Sequence, residues 1–338
     1  MTHGEGMLLP AVNMASGGFV ESGDDASVPD AARAEIVADP LLLAASMDGA
    51  RGLFRDSDPR RVDPAVLLRA RAARERLEAL SPLEAEAAHS ALRRRFLAMR
   101  RVLQPRIEGA GLIEKLMLVS NGVGLADYGL RQSPAVEELR LLERLPQMYE
   151  DRLEAQTALA FLLARYGVSA AVAWGPSFQP AILSDGSIAD TPIAFDFSHT
   201  DHVIAQNVMW SRVAHSVDAL VRLLQDTPTE DGTLWDRSLI YVATDFGRSR
   251  DRPPGALGGF GSGHHLSNGN LFLSPLLRGN RVFGGVAPDT LVTEGFDPTS
   301  GERTPGRNDI REGNLYSLVC QALGVEFEGR LDMSALVR

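Results

Sequence analysis

One cysteine, one lysine and no long apolar run set the first limits on this chain. With Cys320 alone, an intramolecular disulfide and a cysteine-rich zinc site are both excluded. Cys320 falls in NLYSLVCQALGV, an apolar pattern at helical spacing, where a free thiol reads as a buried structural residue. Lys115 is the only lysine, so the basic side chains are almost all arginine, which reads as codon bias. Lysine and arginine total 34 against 44 aspartates and glutamates, leaving a formal charge of −10 and a pI near 5.3. That balance argues against a nucleic-acid-binding surface. No stretch reaches the roughly 18–20 apolar residues of a membrane span. The opening thirty residues lack the basic start and apolar run of a signal peptide. One string, RRRFL at 93–97, looks like a twin-arginine export motif, but it sits deep in a charged helical pattern and reads as a solvated helix face.

What the chain does have is ordinary globular composition, 44% hydrophobic and 23% charged over 338 residues. That is enough for one large α/β domain or two ordinary ones, with a sizeable core. Residues 1–62 are loop-rich, with weak periodicity through MASGGFVESGDDASVPD. From 63 to 166 the pattern is helical. Asp63-Pro64 opens a first helix, and Ser81-Pro82-Leu83-Glu84 forms a capping box for a second, which runs to about Gln104. Further helices are expected over 111–126, 134–145 and 147–166, the last ending at Gly167.

After Gly167 the texture changes. VSAAVAW (168–174), PIAF (192–195) and SLIYVAT (238–244) read as short buried strands, with amphipathic helices at 203–225 and about 309–323. Alternating strands and helices over 167–338 suggest a mostly parallel sheet covered on both faces, within one domain overall. Ligands of such sheets bind outside the carboxyl ends of the strands. Two of these strands end on carboxylates, Asp196 just beyond PIAF and Asp245 after SLIYVAT.

The densest chemistry lies there. FDFSHTDH (195–202) holds Asp196, His199, Asp201 and His202, and five of the seven histidines lie between 199 and 265. Histidine with carboxylate suits zinc, iron or manganese. The spacing Asp196-x-x-His199 lets both side chains reach one ion. Asp245-Phe-Gly-Arg248 leaves the next strand, and GSGHHLSNGN (261–270) brings His264 and His265 on a flexible loop. Three segments meeting at one sheet edge can assemble a two-ion hydrolase site that clamps both oxygens of an ester displacement. Asp201 reads more simply as the N-cap of the helix from 203, and His215 as a residue of that helix's polar face or core.

FDFSHTDH, WDRSLIYVATDFGR (235–248) and GSGHHLSNGNLFLSPLLRGNRVFGGV (261–286) together resemble an uncharacterised bacterial family catalogued as domain of unknown function 1501, related to sulfatases and alkaline phosphatases. The order and spacing of the motifs over 190–290 carry the resemblance. It implies an alkaline-phosphatase-like α/β/α sandwich with one or two divalent ions (Zn, Mn, Fe or Ca) and a small anionic phosphate or sulfate ester as substrate. Asp196 with His199 or His202, helped by His264 or His265, would serve the first metal, and Asp245 the second. Phe246 stands where the superfamily often has His or Asn, which weakens the second position. Arg248 would contact the anionic substrate or hold a structural ion pair. Full-length members of the family are often exported to the periplasm.

The superfamily places a first metal-binding Asp and a Ser or Thr nucleophile on early strands, and nothing before residue 167 reads as such a strand. The expectation is therefore a truncated member, incomplete at the N-terminus, with an open sheet edge inviting a homodimer. His3, Ser16 and Ser22 read as loop residues, and Ser177 is the one hydroxyl in a plausible position. The alternative is a non-catalytic scaffold or binding member of the same fold.

Overall fold

The structure is a computed structural model that describes residues 7–15, 34–37, 39–44, 63–80, 106–107, 110–119, 132–176, 195–244, 246–249, 260–265 and 268–338. The chain divides into two compact units, one over Thr2–Ser177 and the other over Phe178–Arg338 with Met1. It is a mixed α/β protein.

The first unit is built on three short strands, β1 (Ala11–Asn13), β2 (Glu35–Ile36) and, later in the chain, β3 (Ala171–Ala173), in the order β2-β1-β3. Both pairings of the central β1 are parallel, with Val12 opposite Glu35 and Val172. Between β2 and β3 come the helices α1 (Pro64–Leu80), α2 (Leu112–Leu116), α3 (Pro134–Glu138), α4 (Leu141–Arg144) and α5 (Arg152–Arg165). The helix expected over 134–145 is two pieces, because Arg140 adopts φ 52° and breaks it. The helix expected from 147 starts at Arg152, capped by the Asp151 carboxylate on the Leu153 amide at 2.8 Å.

Helix α5 buries every residue from Leu153 to Leu163. A helix apolar or satisfied all round belongs in a core, and Phe161, Leu159 and Leu162 are fully buried together with Leu112, Leu116, Leu145 and Met148. Gly167, at φ 62°, ends it with the left-handed turn that glycine takes without strain, and the Val168 amide bonds back to the Leu163 carbonyl. The chain then enters β3. Gln156 on α5, itself buried, donates to the Met14 carbonyl at 2.8 Å and accepts from the Gly175 amide at 2.9 Å. One side chain thus ties the outgoing ends of β1 and β3 to the core helix.

These strands correct the reading that nothing before residue 167 is strand. Within VSAAVAW only Ala171–Ala173 is strand, paired with β1, and it is exposed to half-buried where a buried strand was expected. The capping-box helix from Ser81 and the strand at 192–195 lie almost wholly outside the described residues.

The second unit starts with a 3₁₀ turn at Phe195–His199 and continues into α6 (His202–Gln225), whose N-cap is Asp201 with its carboxylate on the Ile204 amide. A small hairpin, β4 (Pro228–Thr229) and β5 (Gly232–Thr233), precedes β6 (Ile240–Val242), β7 (Gly247–Arg248), β8 (His264–His265) and β9 (Leu271–Leu273). Then come β10 (Gly285–Val286), β11 (Thr293–Phe296), β12 (Arg303–Thr304) and α7 (Glu312–Ala322). Every strand pairing described here is antiparallel: β4 with β5, β6 with β9, β7 with β8, and β10-β11-β12 in a row. Where a mostly parallel sheet over 167–338 was expected, the described strands after β3 pair antiparallel, and parallel pairing among the described residues is that of β1 with β2 and β3. Tyr241 stacks flat on its cross-strand neighbour Phe272 at 4.5 Å. Leu277, Leu318, Met333, Ala335 and Leu336 form the core against α7, with Phe272, Phe283 and Phe296 packed around them. Cys320, expected to be buried, is a free thiol of intermediate exposure.

Candidate functional site

The site grows from two local devices. The 3₁₀ turn at Phe195–His199 brings Asp196 and His199 to the same side, three residues apart, with Asp196 Oδ1 3.7 Å from His199 Nε2. The antiparallel pairing of β7 with β8 sets Arg248 opposite His264 and Gly247 opposite His265. The two devices meet at His199. Its Nε2 lies 3.1 Å from His264 Nε2 and 3.1 Å from Arg248 Nη1.

Arginine can only donate. His199 Nε2 is then the acceptor in the Arg248 contact, which leaves His264 Nε2 as the donor in the other. One imidazole lone pair is shared by two N–H groups. It is the same lone pair that a metal ion would take. Arg248 also reaches the carbonyl oxygens of Ser262 at 3.4 Å and Phe195 at 3.5 Å, and its guanidinium lies over the Phe246 ring at 5.3 Å. Phe246 also stacks on His264, centroids 3.7 Å apart. Phe246 is therefore a packing platform for a histidine and an arginine.

The other expected residues fall differently. Of the His-His pair, His264 contacts His199, and the half-buried His265 follows it on β8. His202 begins α6, and its Nδ1 lies 2.8 Å from Ser262 Oγ. Asp201 caps that helix. Asp245 and Ser177 lie outside the described residues. Sequence reasoning missed Ser262, and also Gln206, which donates to the buried Ser198 hydroxyl at 2.9 Å and accepts from Trp210 Nε1. The only hint of Ser262 was its place beside the His-His pair.

The donor chemistry suits an ion bound by nitrogen and oxygen. Two nitrogens on one tetrahedral zinc with bonds of 2.0–2.1 Å stand about 3.3 Å apart, close to the 3.1 Å between His199 and His264. As they stand, no three His, Cys, Asp or Glu side chains among the described residues are gathered to hold an ion. For His199 and His264 to hold an ion together, His264 Nε2 would lose its proton and Arg248 would release the His199 lone pair; Asp196 Oδ1, 3.7 Å from His199 Nε2, is a carboxylate within reach.

Compared with family models, curated proteins and solved structures, the chain matches none.

Proposed function

We propose that this chain is a metal-dependent hydrolase-like protein of the sulfatase and alkaline-phosphatase type, acting on a phosphate or sulfate ester. The observation that supports it is the meeting of Asp196-x-x-His199 with His264 and Arg248, residues drawn from segments some fifty and sixty-five positions apart. His199 and His264, with Asp196, would hold a divalent ion, which when bound supplies a Lewis acid for the ester oxygen. Arg248 neutralises the non-bridging oxygens of the anionic group, for which a planar guanidinium is suited. Phe246 keeps both His264 and Arg248 at their stations.

The test is metal content by elemental analysis of the purified chain after incubation with Zn, Mn or Fe, beside turnover of nitrophenyl phosphate and nitrophenyl sulfate. His199→Ala and His264→Ala are expected to abolish uptake and turnover together. Arg248→Lys is expected to keep the metal and raise KM for the ester, because it loses the two-pronged contact. Wild-type protein that takes up no metal rejects the hydrolase reading.

One observation favours a second reading. Arg248 already donates to the lone pair on His199 that an ion would need. In a non-catalytic member of the same fold this guanidinium would keep that place, and the pocket would serve as a scaffold. Arg248→Ala separates the two. It raises metal affinity if Arg248 competes with an ion, and leaves uptake at background in a pure scaffold.

A further inference from the structure

The loop that delivers His264 is strapped to the segment that delivers His199. The Ser262 amide donates to the Ser198 carbonyl at 2.8 Å, and the His202 amide donates to the Phe260 carbonyl at 2.8 Å. Between these two bonds, Ser262 Oγ lies 2.8 Å from His202 Nδ1, with a longer contact of 3.4 Å to the Ser198 carbonyl. Ser262 is only 4% exposed. A hydroxyl so enclosed serves the protein and not a substrate. Gly261 permits the approach, since a Cβ there would stand 2.1 Å from the His199 carbonyl oxygen. Three residues after Gly261, β8 begins with His264.

We propose that Ser262 and His202 are a positioning pair: His202 acts through Nδ1 to hold the 260–263 loop in register, so that His264 meets His199. His202 is then not a metal ligand. The inference rests on the metal-site reading for what the two imidazoles hold, while the strap itself is tested without metal. The physical reason is reach. His199 and His264 are 65 positions apart, and their rings stay in contact only if the two segments keep one register. Backbone bonds alone allow a loop to slide by a residue, whereas a side-chain pair fixes which residue faces which. Groups that orient ligands in this way typically matter by about 10–100-fold in metal affinity.

The experiment uses the full chain and two readouts. The first is Zn²⁺ titration by calorimetry. The second, in metal-free protein, is the ring-proton nuclear Overhauser contact between His199 and His264. Ser262→Ala and His202→Ala are expected to weaken zinc binding about 10–100-fold and to lose the ring contact. Ser262→Thr keeps the hydroxyl, and His202→Asn keeps an amide near the place of Nδ1 with nothing at Nε2, so both are expected to retain zinc and contact. If His202→Asn loses zinc as His199→Ala does while the contact persists, His202 is a ligand and the proposal is overturned. An unchanged ring contact in Ser262→Ala also overturns it, as does loss of the contact in all four variants. If wild-type protein binds no zinc, the metal-dependent function falls, and the ring contact across the same variants still decides the strap.

Discussion

At the scale of single residues, the chain shows how local partners set the state of a carboxylate. Asp297 accepts from the Thr299 hydroxyl and from the amides of Ser300 and Thr299, all within 2.9 Å. The Thr299 hydroxyl and the Ser300 amide lead in holding its pKa down to about 2 from an ordinary 3.8. A carboxylate depressed on folding adds stability that is complete above its unfolded value and is lost as pH falls through the folded value. Acid titration of the fold should therefore show a loss of stability between pH 4 and pH 2 that is smaller in Asp297→Ala, read by circular dichroism. An equal loss in both proteins would show that Asp297 is not the group responsible. Glu294 shifts in the same direction, chiefly through the Gly306 amide, with Arg303 adding to it. Tyr149 goes the other way: burial, with help from the Glu137 charge, pushes its phenol up to about 12. At the candidate site, His199 and Arg248 were legible from their motifs. Ser262 was not, because nothing in a serine's neighbours along the chain says which imidazole it will face.

At the scale of elements, helix ends were easier to read than helix continuity. Asp201 as a cap and Gly167 as a stop follow from side-chain and backbone chemistry within four residues. The break at Arg140 does not, since a non-glycine residue at positive φ is disfavoured locally. The strands were harder still. β1 has three residues and β2 two, too few for periodicity to register. Their anchoring gives a prediction at this scale. Gln156→Leu keeps the volume but leaves the Gly175 amide and the Met14 carbonyl without the partner that joins them. Orphaning the buried Met14 carbonyl costs ~1–3 kcal/mol and the half-buried Gly175 amide less, so the unfolding free energy, and with it the denaturant midpoint, should fall. A midpoint equal to wild type would mean that the tie between β1 and β3 is made elsewhere.

For the whole molecule, charge is the property that the sequence settles without the fold. At −10, the chain should pass unretained through a heparin column at physiological salt and be least soluble near its pI of 5.3. Tight retention on heparin would point to a concentrated basic face and reopen a nucleic-acid partner. Among the described residues, no helix is long and apolar enough to cross a membrane, in keeping with the absence of a long apolar run. The sequence by itself also determined the mixed α/β character, the cap at Asp201, the stop at Gly167 and the cluster of chemistry between 196 and 265. The cap and the stop depend on residues near one another in the chain. Tertiary structure alone decided which strands pair and in which direction. It gave β3 its partner β1 from 160 positions earlier, and made β6 and β9 antiparallel where alternation with helices suggested a parallel sheet. It also brought His264 to His199, through a β7–β8 register that sets Arg248 opposite His264. Pairing and register depend on which distant surfaces fit, and no local spacing contains that.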